Sequence, residues 1–207
     1  MPKVVDTKQR ADEIANAVFT ILCTEGLPAV TLSRVAEQTG LAIGSIRHYY
    51  PSHQQLVESA LTLLIATISE RIYRHYDFLS QQPADPHDQV VRILEELLPF
   101  DPYRYQEAVL WLRVMNEAVH DPTYRPYATK LSTGMREMIA QILQNSLPGT
   151  TVTELDQKVE GLSVFIDGLT VAMLSPRPTV TPKQAHNLLT RAVKTTVSSN
   201  NQIGSVL

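Results

Sequence analysis

Between Leu155 and Met173 the apolar residues Leu155, Val159, Leu162, Ile166, Leu169 and Met173 recur at alternating spacings of four and three. Only a helix gathers such positions on one face, because a half-buried strand alternates by two. The same period returns block after block along the chain, interrupted by Gly and Pro, and no strand-like alternation appears. The fold class expected is therefore all-α, with nine helices. At 207 residues the chain can hold one substantial core, or a small domain joined to a larger one.

Local signals mark where each helix starts and stops. A first helix is predicted from Thr7 to Glu25, with Ile14, Val18, Ile21 and Leu22 inward, and Gly26 ends it. Thr31 caps a short second helix running through Thr39, with Leu32, Val35 and Ala36 inward and Gly40 in the terminating position. A third short helix occupies Ala42 to Tyr50, and Pro51 closes it. Ser52 and Gln55 form a capping box that opens a long fourth helix to Ser80. Asp85-Pro86 starts a fifth, predicted to reach Leu98. The sixth covers Tyr103 to His120, and the seventh runs from Tyr124 to the break "SLPG". The eighth is expected from a cap at Thr153 to Leu174, and the ninth follows the proline-rich "SPRPTVTP". Residues 1–51 then form one domain, residues 52–197 a second, and the polar residues 198–207 are expected to be disordered.

Composition restricts function. With 43% hydrophobic and 19% charged residues the chain has the make-up of a soluble globular protein, and no apolar run approaches the roughly 18 residues that a membrane span needs. No membrane partner is expected. The opening "MPKVVDTKQR" lacks the apolar core of a secretory signal, which points to the cytoplasm. Cys23, the single cysteine, sits among apolar residues and reads as a small buried thiol. A net charge of -3 gives no general attraction to nucleic acid, so any such contact must be local.

One segment has the layout for it. On a helix over 42–50, Ile43, Ile46 and Tyr50 share an inner side, Gly44, Ser45 and His48 point outward, and Arg47 and Tyr49 flank the outer face. Small residues let a backbone approach base edges, while the longer polar side chains reach sideways to phosphates. With the Gly-containing turn "EQTGLA" before it, the arrangement reads as a helix-turn-helix. Spacing alone equally permits a short helix with a merely solvated face.

The stretch from Arg10 to Leu61, centred on "FTILCTEGLPAVTLSRVAEQTGLAIGSIRHYYPSHQQL", resembles the N-terminal DNA-binding domain of the TetR family of transcriptional regulators. It matches helix, Gly, Thr-led second helix, Ala-Glu-x-x-Gly turn, small residues, aromatic pair and polar cap in order. "GSIRHYY" and "FIDGLTVAMLSPRPTVTPKQAHNLL" are similar to the branch typified by the choline-responsive Bet regulator. The resemblance implies an all-helical homodimer that binds a palindromic or pseudo-palindromic operator on double-stranded DNA, most often as a repressor. Helix four would link the DNA-binding helices to a ligand-binding domain, and the last two helices would form a four-helix dimer interface. It departs from the family pattern at Ala42, where Ser is usual, at Arg47, where Tyr is common, and at His53, where Lys usually opens helix four.

On these grounds Thr31, Ser33, Arg34, Tyr49 and His53 are the candidate phosphate ligands, and Gly44, Ser45, Arg47 and His48 the candidate base-edge residues. The basic supply is sparse. Over residues 1–56, Lys3, Lys8, Arg10, Arg34 and Arg47 are offset by Asp6, Asp12, Glu13, Glu25 and Glu37. Phosphate affinity is therefore expected to be modest, and more pH-sensitive than usual because His titrates near neutrality.

Helix eight carries a further argument. Besides its seam, Val164, Phe165, Val171 and Ala172 make a second face apolar, and Gly161 and Gly168 cost about 1 kcal/mol each against Ala within a helix. A close-packed partner explains them, and a two-fold dimer would set two recognition helices on two half-sites. Leu162, Ile166, Gly168, Leu169 and Leu189 are the expected interface residues. The alternative is a central helix buried wholly within its own subunit. In helix six, apolar Trp111 and Met115 interleave with polar groups, and a small-molecule effector is expected against Tyr103, Trp111, Met115, Asn116 and Phe165. Taken singly, Trp111 and Met115 also suit a plain core. Tyr105, Tyr124 and Tyr127 add aromatic surface that permits a cation cage.

Catalysis is the competing class. Glu117 and His120 make one Glu-x-x-His, but helical di-iron sites use that spacing twice, with two further carboxylates. There is no Cys-x-x-Cys and no phosphate-cradling Gly loop. No catalytic residue, metal or cofactor is expected. A helical interaction module that binds no DNA is the third class, favoured by the sparse basic charge.

Overall fold

The computed structural model describes residues 7–80, 85–147, 149–177 and 179–198, and the polar C-terminal residues expected to be disordered lie almost entirely outside them. Among the described residues there are nine α-helices and no strand. They are α1 (Thr7–Thr24), α2 (Leu32–Thr39), α3 (Ile43–Tyr49), α4 (His53–Ser80), α5 (Pro86–Leu94), α6 (Pro102–His120), α7 (Arg125–Ser146), α8 (Val152–Leu174) and α9 (Pro182–Ser198). Short 3-10 turns occupy Leu27–Ala29, Glu95–Leu97 and Pro122–Tyr124.

The chain divides into two compact units along a line different from the expected boundary after residue 51. One comprises residues 1–67 with 109–131, the other 68–108 with 132–207. The boundary falls inside α4, α6 and α7.

In the first unit α1 lies against α2, and α2 against α3. The apolar positions of α1 that periodicity placed inward, Ile14, Val18, Ile21 and Leu22, are at most 1% exposed, as are Val35 of α2 and Ile46 of α3. Cys23 is buried too. Thr31 caps α2, its Oγ1 accepting from the Arg34 amide at 3.1 Å. Gly40 ends α2 with φ +69°, in the left-handed region that costs a glycine least. Ile43 departs from expectation, being 42% exposed. The reason is helix length: α3 begins at Ile43 itself and makes barely two turns, so Ile46 alone on it is fully inward.

The second unit is built around Ile72, Leu79, Val90, Leu94, Ile139 and Leu143 together with the seam of α8 and the inner face of α9. Burying an aliphatic side chain of this kind contributes about 1.5–3 kcal/mol. The cap of α8 is Thr151, not Thr153. Thr151 Oγ1 accepts from the Glu154 amide at 3.4 Å and Glu154 Oε2 accepts from the Thr151 amide at 3.0 Å, a reciprocal box. Glu three residues on makes Thr151 the stronger start, whereas Thr153 is followed at that spacing by the shorter Asp156. Thr181 and Gln184 form the same box at α9, and Ser52 and Gln55 at α4. The helix from Asp85-Pro86 gives way at Leu94 to the 3-10 turn, short of Leu98.

Charge is also buried here, in pairs. Arg71 donates to Glu107 at 3.0 and 2.8 Å and to the Glu96 carbonyl at 3.0 Å, and Glu107 is only 6% exposed. Burial works against the Arg71 charge, but Glu107, Glu96 and Asp101 outweigh it and raise its pKa. Asp167 on α8 is different. It is half-buried with no hydrogen-bond partner among the described residues, and desolvation pushes its carboxyl up from 3.8 to about 6.

Between those two values the folded chain holds a proton that the unfolded chain has released, so stability falls as pH rises through that window and stays lower above it. Asp167→Asn should flatten the pH dependence of urea unfolding between about pH 4 and 6 and add on the order of 1–2 kcal/mol at pH 8. An unchanged profile in the variant would mean the carboxyl is better solvated than its position implies.

Candidate functional site

The outward side of α3 follows from how its inward side is fixed. Ile46 is fully buried, and the Tyr50 hydroxyl donates to the Ala11 carbonyl of α1 at 3.3 Å, tying the end of α3 back to the first helix. Gly44, Arg47 and His48 are thereby exposed, with Ser45 and Tyr49 half-exposed beside them. The His48 and Tyr49 rings meet edge-on at 5.5 Å. A Cβ at Gly44 would touch nothing within 4 Å, and its φ is not in the left-handed region, so neither packing nor backbone requires glycine there. Thr31 and Ser33 are exposed at the start of α2, and His53 at the start of α4.

Arg34 is committed elsewhere. Its Nε donates to the Glu25 carboxylate at 3.0 and 3.1 Å and its Nη2 at 2.7 Å, while Nη1 reaches Glu37 at 3.2 Å. This two-pronged pair ties the residue after α1 to the first turn of α2. The hydrogen bonds from Arg34 hold the Glu25 carboxyl below its ordinary pKa, so the pair stays charged until the pH falls below the usual carboxylate range. Arg10 is bound by Glu13 at 2.7 Å. Among the described arginines of the helix-turn-helix, Arg47 alone has no carboxylate partner. Sequence inspection missed this use of Arg34, because Glu25 lies nine residues away across a turn and no helical spacing links them.

The five residues expected to meet an effector are not brought together within either unit. Trp111, Met115 and Asn116 belong to the first, with Trp111 and Met115 half-buried and Asn116 exposed, whereas Tyr103, exposed, and Phe165, partly buried, belong to the second. A cavity of about 20 Å³ beside Tyr73 and Tyr76, and one of about 330 Å³ beside Arg113, are lined by none of them.

The expected dimer residues also separate. Leu162, Ile166, Leu169 and Leu189 are between 0% and 5% exposed and belong to the chain's own core, packed where α8 meets α9, so they do not present a partner face. Gly168 lies on the opposite side with Gly161, Val164 and Val171, and these are exposed. Val164 is 63% exposed, and a Cβ on either glycine would meet nothing within 4 Å. The heptad-like seam and the uncovered apolar stripe are two sides of one helix.

Comparison with known proteins agrees with this architecture. Residues 86–198, just over half of the chain, match the family model described as BetI-type transcriptional repressor, C-terminal. The HTH-type transcriptional regulator PksA of Bacillus subtilis is 26% identical over 186 residues, covering 85% of this chain and 84% of that protein. A transcriptional regulator from Rhodococcus sp. superposes with a TM-score of 0.70 at 20% identity, over 89% of this chain and 94% of the other. A Saccharomonospora viridis protein described as a transcriptional regulator, solved in complex with choline, superposes at 0.65 with 20% identity, over 94% and 98%. The order of helices, the N-terminal helix-turn-helix and the matched C-terminal region together make the chain a member of the TetR family of transcriptional regulators, with a C-terminal region of the BetI type.

Proposed function

We propose that the chain is a cytoplasmic repressor that binds a palindromic or pseudo-palindromic operator as a homodimer and leaves it when a small-molecule inducer binds. The observation that carries the DNA reading is the outer face of α3, where Gly44, Arg47 and His48 stand exposed over an anchored inner side. Gly44 admits close approach to base edges, Arg47 supplies the uncommitted guanidinium, and Ser45, His48 and Tyr49 offer further hydrogen bonds. Thr31, Ser33 and His53 would contact phosphates. Arg34 acts there chiefly by holding α2, since two carboxylates already occupy its guanidinium.

In this reading residues 1–51 contact DNA and residues 52–197 regulate and dimerise. The dimer forms through the exposed stripe of α8, Gly161, Val164, Gly168 and Val171, where a missing Cβ lets a second helix come close. Because α4 starts beside the DNA-facing helices and continues to Ser80, a ligand that shifts it changes the spacing of two recognition helices. The inducer is an apolar or cationic small molecule held near Trp111, Met115 and Asn116 of α6. Choline bound to the Saccharomonospora relative supports a cationic ligand.

Gel shifts with DNA flanking the gene test the first part. Arg47→Ala should weaken binding by about 1–3 kcal/mol without lowering the melting temperature. Gly44→Ala should do the opposite to stability, adding about 0.5–1 kcal/mol to the fold while reducing operator affinity. Unchanged affinity in both variants would remove α3 from the interface.

For assembly, Gly168→Leu places a side chain in space that is open in the single chain, so the subunit should fold as well as wild type. Light scattering should nevertheless show monomer in place of dimer. A variant that remains a clean dimer would move the interface off this stripe.

A further inference from the structure

A cavity of about 330 Å³ in the first unit carries polar groups that the DNA and inducer readings leave unused. Its walls are apolar: Leu22 at the end of α1, Leu27 and Pro28 in the following turn, and Leu110 and Val114 of α6. Its rim is charged, with Arg113 and Glu117 from α6 and Glu25 opposite. Glu25 is already neutralised by Arg34. Arg113 uses one donor, Nη1 to the Leu22 carbonyl at 3.2 Å, and its other donors have no protein acceptor among the described residues. Glu117 has no side-chain hydrogen bond or ion pair among them at all.

Arg113 and Glu117 stand one helical turn apart, about 5–6 Å between Cβ atoms, in the less favourable order with the cation first. They make no ion pair with each other. Two opposite charges, unpaired and adjacent at the mouth of an apolar cavity, fit a ligand that carries both complements on neighbouring atoms. A simple carboxylate would leave Glu117 beside a second anion, and a simple ammonium would face Arg113. The volume exceeds what the smallest amino acids fill and lies at the low end for ligand pockets.

We propose that this cleft binds a small aliphatic α-amino acid, its carboxylate on Arg113, its ammonium on Glu117 and its side chain against Leu22, Leu27, Leu110 and Val114. The site occupies a different side of α6 from Trp111 and Met115, which do not line it. If the DNA reading holds, the site also has a regulatory consequence. Arg113 holds the last turn of α1, and Glu25 three residues later grips α2, so an occupant drawing on Arg113 acts on the mounting of the DNA-facing helices.

Titration calorimetry of the full chain without DNA tests the site independently of that reading, with L-leucine as probe and leucinamide and 4-methylpentanoate as analogues lacking one charge each. L-leucine should bind, both analogues should bind at least tenfold more weakly, and Glu117→Gln should weaken L-leucine by a similar factor at unchanged melting temperature. Arg113→Lys keeps the charge but loses the fork and should also weaken it. The proposal is overturned by absence of heat at L-leucine concentrations on the order of 10 mM, by equal binding of 4-methylpentanoate, or by wild-type affinity in Glu117→Gln. Should L-leucine bind while gel shifts fail, the site stands and only its regulatory role falls. Failure of L-leucine alone leaves the DNA reading intact.

Discussion

The fork between Arg34 and Glu25 organises the N-terminal end of this molecule. Glu25 follows α1 directly, and its two oxygens take three hydrogen bonds from a guanidinium in the first turn of α2. The angle at which α2, and with it α3, leaves α1 is thus fixed by a charged pair on top of the apolar contacts of Val35 and Ile46. Partly exposed ion pairs are weak contributors to stability, so the value of this one lies in geometry. It also has an electrostatic effect. A cation that sequence would assign to phosphate is already neutralised, and the surface proposed to face DNA is left with Arg47, His48, His53 and neutral donors.

Such a surface relies on shape and hydrogen bonding more than on charge. Gly44 makes sense in that light, since it weakens a short helix without any packing or backbone reason within the chain. In the proposed reading, little electrostatic attraction means weak binding to non-specific DNA, with specificity resting on fit at the groove floor. The same economy appears on α8. One side of the helix is consumed by its own core, and the other exposes Val164 and Val171 between two glycines.

Much of this was legible in the sequence, and the boundary between legible and illegible is physical. Caps and stops at Thr31, Gly40, Ser52 and Asp85 were readable because each depends on residues within four positions. The inward faces of α1 and α8 were readable because helical period alone decides them. What failed depended on distant partners or on the ends of elements. The seam of α8 was correctly found, but period cannot say whether α9 of the same chain or a second chain covers it. Ile43 shares the helical period of Ile46 but is the first residue of α3, and period alone does not say whether a neighbour covers the end of so short a helix. The occupation of Arg34 by Glu25, and the pairing of Arg71 with Glu107, join residues that only the fold brings near. The cleft beside Arg113 was invisible for the same reason, since one wall comes from α1 and the other from a helix some ninety residues on.

The central claim is that this helix-turn-helix engages DNA with few free cations, and the salt dependence of operator binding tests it most directly. Each subunit offers Arg47 as its uncommitted guanidinium, so a dimer of this kind would neutralise roughly two to four phosphates. The logarithm of affinity should therefore fall against the logarithm of salt with a slope of about -2 to -4. A slope near -8 at pH 8 would contradict the account. It would mean that many cations beyond Arg47, with Arg34 at most one of them in each subunit, reach phosphates in the complex.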